Sequence, residues 1–167
     1  RLKILSIERL RNYLEGKKAA DIRSCLKPVK ESFISVNLPT RFGEFRLLLP
    51  GSPSSGEEQG AAFALVSGKL DTEKEILVRI HSECLTGDVL HSLRCDCGQQ
   101  LEKSMELIGR SGGVLVYLKQ EGRGIGFAEK MKAYLLQEKG ADTVEANIMP
   151  GHAPDERRYD SAVNILK

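Results

Sequence analysis

Val114-Leu115-Val116-Tyr117-Leu118 is a continuous apolar run, and Gly122-Arg123-Gly124-Ile125-Gly126 follows it after three residues. A short apolar run of this kind predicts a strand that is buried on both faces. Beyond the glycines, apolar residues recur at helical spacing from Phe127 until Gly140 ends the pattern. The stretch therefore predicts a strand, a glycine-rich loop and a helix, and the rest of the domain must pack around this unit.

Alternating apolar residues before this unit predict four strands, over 32–38, 43–49, 61–68 and 76–80. The segment 50–60 is rich in Gly, Ser and Glu and predicts an exposed loop. A helical pattern begins near Gln99 and stops at Gly112-Gly113. We therefore predict an α+β fold, a curled antiparallel or mixed sheet or barrel, with the helices from Gln99 and Phe127 packed against it.

The first 32 residues have a different character. Ile4, Ile7, Leu10 and Leu14 have helix-like spacing, and the mixed segment that follows is typical of a linker. The predicted division is an N-terminal helix and linker over 1–32 and one domain over 33–167. The first residue is Arg rather than Met, so a targeting segment could have been removed.

Composition excludes several classes of protein. The chain has 167 residues, of which 41% are apolar and 29% charged, which is typical of one globular domain. A net charge of +2 does not indicate a nucleic-acid-binding protein. No apolar run reaches the roughly 20 residues that cross a bilayer. We expect a cytoplasmic protein without a membrane or nucleic-acid partner, or an organellar one if a targeting segment was removed.

Cys84, Cys95 and Cys97 lie within fourteen residues of a chain that has four cysteines. Three thiolates on one zinc ion leave its fourth tetrahedral position open, as in catalytic zinc sites. The alternative is a structural site with four ligands, completed by Cys25, His81 or His91. Without a secretory signal, thiols bound to a metal are favoured over disulfides.

The glycine-rich loop offers backbone amides to an anion, and Arg123 adds a donor that suits phosphate. A tight turn without a ligand is the alternative. The charged segment from Asp155 to Asp160 is by default an exposed helix start. Similarly, 142–147 is by default a strand with one polar face, and Tyr134 a core aromatic.

Several motifs together resemble GTP cyclohydrolase II, which opens the guanine ring in riboflavin synthesis. The resemblance runs from about Asn37 to the end, and it is carried by Leu38-Pro39-Thr40-Arg41-Phe42-Gly43, Arg79-Ile80-His81-Ser82-Glu83-Cys84-Leu85-Thr86-Gly87-Asp88, Leu93-Arg94-Cys95-Asp96-Cys97-Gly98, Gln120-Glu121-Gly122-Arg123-Gly124-Ile125-Gly126, Asp142-Thr143-Val144-Glu145-Ala146-Asn147 and Asp155-Glu156-Arg157.

The resemblance implies one Zn²⁺ per chain, held by Cys84, Cys95 and Cys97, and Mg²⁺ that accompanies GTP. It implies Asp155 as proton acceptor and Arg157 as the residue that attacks the α-phosphorus, with Tyr134 as a further catalytic residue. Pyrophosphate and formate leave, and the product is 2,5-diamino-6-(5-phospho-D-ribosylamino)pyrimidin-4(3H)-one. A homodimer is also implied. The implied GTP contacts are Arg79, Ile80, His81, Ser82, Glu83, Gln100, Glu121, Gly122, Arg123 and Thr143.

Three features depart from this pattern or extend it. Phe127-Ala128-Glu129-Lys130 replaces a family segment that reads roughly Leu-Leu-Asn-Lys. The chain ends at Lys167, before the family's last Thr and Lys contacts to GTP, so we expect a C-terminally truncated domain. Residues 5–10 resemble the end of the dihydroxybutanone phosphate synthase domain, which precedes this one in bifunctional enzymes.

Two other functions compete with a zinc hydrolase that acts on GTP. One is a catalytically degenerate homologue that binds zinc and nucleotide as a scaffold, which the altered segment 127–130 allows. The other is a zinc-ribbon-like nucleic-acid module, which would need a basic face and salt-sensitive binding. An arginine nucleophile also has a physical alternative, because a charged guanidinium could instead stabilise the phosphoryl transition state.

Overall fold

A computed structural model describes residues 5–6, 33–50, 62–140, 151, 153 and 155–167. The strands are β1 (Leu5–Ser6), β2 (Phe33–Thr40), β3 (Gly43–Pro50), β4 (Ala62–Ser67), β5 (Leu77–Ser82) and β6 (Gly113–Leu118). The helices are α1 (Leu85–Asp88), α2 (Cys97–Ser111), α3 (Phe127–Glu138) and α4 (Asp160–Ile165), and a 3₁₀ helix spans Glu121–Gly124. Sheet and helices together confirm the predicted α+β class.

The strands form one mixed sheet in the order β1-β5-β6-β4-β3-β2. The pairs are antiparallel except for β5 and β6, which are parallel. Among the described strands β1 and β2 are the two edges, so the sheet is open and not closed into a barrel. The predicted mixed sheet is therefore confirmed, and the barrel alternative is wrong.

The apolar run over 114–118 lies in β6, a central strand of the sheet. Val114, Val116 and Leu118 belong to the core on one face of the sheet, where Ala162 of α4 packs with 0% exposure. Leu115, also 0% exposed, belongs to the core on the other face together with Ile108 of α2. Because residues of a strand alternate between faces, β6 contributes to both cores at once. Its predicted burial on both faces is confirmed.

Helix α2 lies close to the β2–β3 turn. A Cβ atom at Gly109 would stand 2.1 Å from the carbonyl oxygen of Phe42. Arg41 beside it pairs with Glu102 of the same helix. A glycine in the middle of a helix usually costs stability, so here it serves the close approach of helix and turn.

The parallel pairing of β5 with β6 positions the site. The two strands end together, with Ser82 opposite Leu118, and the Glu83 amide donates to the Leu118 carbonyl at 2.8 Å. The connection between them contains α1, α2 and the three cysteines, and the glycine-rich loop follows β6. Parallel strands bring their carboxyl ends to the same edge of a sheet. The cysteines and the glycine-rich loop therefore meet at that edge.

The predicted helix over 4–14 is wrong at Leu5 and Ser6. These two residues are extended, and they pair antiparallel with Val78 and Leu77 of β5. Edge pairing with a well-formed strand outweighs a weak helical pattern over so few residues. The remaining residues of 1–32, Cys25 among them, lie outside the described part of the chain, as do the predicted loop from 51 onward and the predicted strand over 142–147.

Candidate active site

The three cysteines converge at the carboxyl end of β5. Cys84 immediately precedes α1, Cys97 is the first residue of α2, and Cys95 lies just ahead of it. Their sulfur atoms are all within 4.8 Å of one another, and the Cys84 and Cys95 sulfurs are 3.5 Å apart. All three are free thiols. This convergence of separate segments is what the sequence predicted.

Within the described residues, no histidine or carboxylate joins the three sulfurs as a fourth ligand. His81 bonds to Asp88, and His91 is exposed with a left-handed φ of 52°. Cys25 lies outside the described residues, so that alternative stays open. The described site thus has the three-ligand composition typical of catalytic zinc.

The thiols are in unlike environments. Burial raises the pKa of Cys97, and the adjacent Cys84 and Cys95 sulfurs raise it further. Burial also acts to raise the pKa of Cys84, but hydrogen bonds with Thr86 and Lys130 outweigh it and the pKa lies below its ordinary value. Three thiolates this close repel one another, so a bound cation is the natural partner for full deprotonation.

Gly87 lies directly against the cysteine cluster. A Cβ atom there would lie 2.9 Å from the Cys95 sulfur and 3.1 Å from the Cys84 sulfur. Any other residue at this position would force a shift at the Cys95 sulfur, because Cβ contacts below about 3.0 Å essentially never occur, and it would make a tight contact with the Cys84 sulfur. The absence of a side chain at Gly87 is therefore a condition of the cluster.

A buried polar network anchors the segment that carries Cys84. The Asp88 carboxylate accepts from the Cys84 amide at 3.0 Å and from the Tyr117 hydroxyl at 2.9 Å, and it contacts His81 Nε2 at 3.1 Å. The side chains of His81 and Asp88 are each 3% exposed. Burial acts to raise the pKa of Asp88, but bonding to His81 and Tyr117 outweighs it and lowers that pKa. His81, expected at GTP, thus faces inward.

Arg79 and Gln100, both expected at GTP, lie side by side. Arg79 Nη2 donates to Gln100 Oε1 at 2.8 Å, and Gln100 Nε2 donates to Asp96 Oδ2 at 2.8 Å. Arg79 Nε is buried without a hydrogen-bond partner within the described structure. Asp96 stands between Cys95 and Cys97 in sequence, so these three hydrogen-bonded side chains border the cysteine cluster.

Three further expected GTP contacts, Ile80, Ser82 and Glu83, lie in or directly after β5 and have different surroundings. Ile80 is half-buried against the core on the α4 face, and the Ser82 hydroxyl accepts from Gln120 Nε2 at 2.9 Å. Burial raises the pKa of Glu83, and the neighbouring Glu121 carboxylate adds to the shift. Thr143 lies outside the described residues.

The glycine-rich loop forms the 3₁₀ helix and carries two left-handed residues in succession, Gly122 and Arg123. Arg123 has a φ of 63°, which is unfavourable for a residue with a side chain. At Gly124 a Cβ atom would stand 2.7 Å from the Glu156 backbone, and the Glu156 amide donates to the Arg123 carbonyl at 2.9 Å. The loop is therefore held against the segment around Glu156.

Asp155 and Arg157 form an ion pair beside this loop. Arg157 Nε donates to Asp155 Oδ1 at 2.9 Å, and a second donor, Nη2, bonds to Oδ2. Bonding to Arg157 lowers the pKa of Asp155 to about 2, and nearby Arg123 lowers it as well. The Asp155 bond raises the pKa of Arg157. The segment is not the start of a helix, because α4 begins only at Asp160.

Tyr134 is half-buried and lies next to α1, the helix that follows Cys84. Its hydroxyl is 3.3 Å from Thr86 Oγ1, which in turn is 3.6 Å from the Cys84 sulfur. The Arg94 guanidinium lies 4.6 Å from the centre of its ring. An open groove of about 490 Å³ is lined by both Thr86 and Tyr134. Tyr134 is therefore not the core aromatic that its helical pattern indicates by default.

Sequence reasoning missed Lys130. Its Nζ donates to the Cys84 sulfur at 3.1 Å, to Thr86 Oγ1 at 2.9 Å and to Glu121 Oε1 at 2.7 Å. Burial acts to lower the pKa of Lys130, but bonding to Glu121 and Cys84 raises it above its ordinary value. The available signal was its position four residues before Tyr134, which places both on the same face of α3.

Fold and site together define an α+β protein with a candidate three-cysteine metal centre beside a glycine-rich loop. The chain belongs to the GTP cyclohydrolase II family, whose sequence profile matches residues 31–167.

Curated relatives agree with this assignment. The chain is 45% identical to riboflavin biosynthesis protein RibBA of Parabacteroides distasonis, over 97% of this chain and 42% of that protein. It is 52% identical to GTP cyclohydrolase-2 of Archaeoglobus fulgidus, over 83% of this chain and 36% of the relative. The chain thus spans less than half the length of these relatives. No described helix is both long enough and apolar enough to cross a membrane.

Proposed function

We propose that this chain carries the active site for the hydrolysis of GTP at a zinc ion, the first step of riboflavin biosynthesis. Formate and pyrophosphate are released, and 2,5-diamino-6-(5-phospho-D-ribosylamino)pyrimidin-4(3H)-one remains. The observation that carries the proposal is the meeting of three cysteine sulfurs within 4.8 Å, in a chain of this family. Mg²⁺ enters with the substrate and neutralises the triphosphate.

The cysteine geometry fits zinc. With Zn–S bonds of about 2.3 Å, two sulfurs of a tetrahedral site are about 3.8 Å apart. The 3.5 Å between the Cys84 and Cys95 sulfurs is close to this value, and all three sulfurs lie within 4.8 Å. A zinc ion with three protein ligands supplies Lewis acidity and an activated water for hydrolysis at carbon.

We assign the substrate contacts to two groups on either side of the cysteines. Arg79 and Gln100 border the cysteines on the α2 side, and among the described residues the buried Nε of Arg79 has no hydrogen-bond partner. On the glycine-rich side Arg123 offers its guanidinium, and Gly122 gives the left-handed turn that precedes it. Ser82, Glu83 and Thr143 complete the proposed contacts. Ile80, His81 and Glu121 act by positioning, because their side chains are engaged within the protein.

Arg157 acts in this scheme as a charged group and not as a nucleophile. A guanidinium bonded twice to a carboxylate is held in its protonated form, and only the deprotonated form attacks phosphorus. Asp155 orients Arg157, which stabilises charge that develops on the phosphoryl oxygens. A covalent phosphoguanosyl adduct, trapped on the wild type and lost in Arg157→Ala, would contradict this role.

Tyr134 is proposed to donate a hydrogen bond from its hydroxyl as the guanine ring opens. The support is its position 3.3 Å from Thr86 Oγ1, next to the cysteine cluster. Tyr134→Phe removes the donor and keeps the ring, so formate release should fall about 10²- to 10⁴-fold, the usual range for loss of a proton donor. Unchanged formate release in Tyr134→Phe would remove this residue from the scheme.

The decisive experiment combines zinc content with product identification from GTP, on the full-length protein that contains this chain. We expect one zinc per chain and stoichiometric formate and pyrophosphate. Cys84→Ser, Cys95→Ser and Cys97→Ser should each lose zinc and activity. Cys25→Ser is the matched control, and it should keep both. Loss of zinc in Cys25→Ser would instead indicate the structural site with four ligands.

Two other outcomes are informative. Zinc without formate release would indicate the degenerate scaffold homologue, and absence of zinc from the wild type would overturn the proposal.

We also propose a cytoplasmic homodimer, as the family resemblance implies, and light scattering of the full-length protein measures the oligomeric state directly.

A further inference from the structure

Lys130 lies, largely buried, between the three cysteines and the glycine-rich loop. Its side chain is 11% exposed, and its three hydrogen-bond partners are Cys84, Thr86 and Glu121 at 3.1, 2.9 and 2.7 Å. The Tyr134 ring centre is 5.5 Å from its Nζ. A lysine that directs all three of its donors inward costs side-chain entropy and desolvation, so the arrangement needs a compensating interaction.

The local charges supply that interaction. A divalent cation with three thiolates carries a net charge of −1, and the Glu121 side chain, 7% exposed, adds another negative charge nearby. An ammonium group in contact with both offsets this excess. A hydrogen bond to a metal-bound sulfur also withdraws electron density from it, and partners of this kind tune metal affinity.

Glu121 extends the connection to both neighbouring segments. Its Oε2 accepts from the amide of Leu85, the first residue of α1, at 2.6 Å. Its Oε1 accepts from the Gly122 amide at 3.1 Å as well as from Lys130. The carboxylate therefore ties the segment after Cys84 to the glycine-rich loop.

We propose that Lys130 is a positioning residue of the metal centre, which neutralises the thiolate cluster and, through Glu121, couples metal binding to the glycine-rich loop. The inference rests on the three-cysteine centre of the proposed function, and it assigns a role to a residue outside the ligand set and the proposed substrate contacts. Lys130 is not a ligand itself. It acts on the sulfur donor and on the loop.

The test measures metal binding without turnover. In Lys130→Gln the side chain still offers hydrogen bonds but has no charge, and zinc affinity should fall about 10- to 100-fold in competition with a chromophoric chelator. In the cobalt-substituted protein, the sulfur-to-metal charge-transfer band should move to longer wavelength, because a sulfur without its cationic donor releases electrons more easily. Lys130→Arg keeps the charge and should recover part of the affinity.

The matched control is Lys132→Gln on the same helix. Lys132 is 64% exposed and pairs with Glu129, away from the sulfurs. The zinc affinity and the cobalt spectrum of Lys132→Gln should equal those of the wild type. A second readout is hydrogen exchange at the Gly126 amide, which donates to the Glu121 carbonyl at 3.0 Å. Zinc should slow this exchange, and the slowing should be smaller in Lys130→Gln than in the wild type.

Two results would overturn the inference. One is a folded Lys130→Gln protein, checked by circular dichroism, with unchanged zinc affinity and cobalt spectrum. The other applies if this variant does not fold: Glu121→Gln, which removes the carboxylate bonded to Lys130, would then show wild-type zinc affinity and a wild-type cobalt spectrum. A wild type that binds neither zinc nor cobalt would instead show that the three-cysteine centre fails, and this inference with it.

Discussion

Gly87 is the residue on which the spacing of the sulfur atoms depends most directly. A methyl group there would meet the Cys95 and Cys84 sulfurs at 2.9 and 3.1 Å. We expect Gly87→Ala to weaken zinc binding by about tenfold or more, since ligand geometry is displaced. Chelator competition measures the change.

The control for Gly87→Ala is Gly140→Ala. Gly140 has a φ of +101° and no atom within 4 Å of an added Cβ, so the substitution strains the backbone at a distance from the site. It should lower the free energy of unfolding by about 1–2 kcal/mol and leave zinc affinity unchanged. Equal zinc affinity in both variants would refute the steric role of Gly87.

The titration of Asp155 tests its pairing with Arg157. The pKa of Asp155 in the folded protein, about 2, lies below the usual value of roughly 3.9. The ion pair therefore contributes its full stabilisation above pH ~3.9, and this stabilisation is lost as the pH falls through about 2. In Arg157→Ala the pKa should rise toward 3.9 or so, measured by carboxyl NMR. The control is Arg158→Ala, which removes the ion-pair partner of Asp160 and should leave the pKa of Asp155 unchanged.

Individual site residues differ in how far the sequence reveals them. The cysteines stand out because three thiols in fourteen residues have few structural explanations, and they do converge. Lys130 does not stand out, because a lysine on a helix is usually exposed and its sulfur partner is 46 residues away. The inward orientation of His81 depends on Asp88 and Tyr117, which share no local pattern with it.

Among the elements, the close approach of α2 to the β2–β3 turn provides the clearest test. In an exposed helix, Gly→Ala stabilises by roughly 0.8–1 kcal/mol. At Gly109 the added carbon would stand 2.1 Å from the Phe42 carbonyl oxygen. Gly109→Ala should therefore destabilise, by about 1–3 kcal/mol, in urea denaturation.

Gln99→Ala in the first turn of α2 is the control for Gly109→Ala. Gln99 is exposed, and the substitution should change the free energy of unfolding by about 0.5 kcal/mol or less. An increase in stability for Gly109→Ala would show that the helix and the turn separate easily.

Elements with strong periodicity were the predictable ones. Strands β2 to β6 lie where alternation or a continuous apolar run predicted them, and α2 begins two residues before the predicted Gln99. Helix α1, with four residues, was missed because one turn is too short to show a period. The pairing of β1 with β5 was missed because it joins residues more than seventy positions apart.

At the scale of the whole molecule, β6 links two cores, so the domain should unfold as a unit. Leu115→Ala empties a site of 0% exposure on the α2 face and should cost about 2–5 kcal/mol. We expect one transition in urea, with the same midpoint by circular dichroism and by tyrosine fluorescence, because both faces lose the same strand.

Leu93→Ala is the control for Leu115→Ala. Leu93 is 96% exposed, and its truncation should change stability by about 0.5 kcal/mol or less. Two separate transitions in Leu115→Ala would show that the cores on the two faces unfold independently.

The α+β class followed from the order of the elements, but the sheet order did not. That order depends on β6 lying between β5 and β4, so that β4 and β5, which are consecutive strands in the chain, are not adjacent in the sheet. Alternation in a strand reports burial and says little about the neighbour that buries it. Whether the sheet closes into a barrel was open for the same reason.

The parallel pair of β5 and β6 also has a consequence for synthesis. Because the ribosome makes the chain from its N-terminus, Cys84, Cys95 and Cys97 emerge before β6, the strand that fixes the far end of their connection. At ~5–20 residues per second, the thiols spend seconds without that support. In the nascent chain these cysteines are therefore open to oxidation before the cluster has formed.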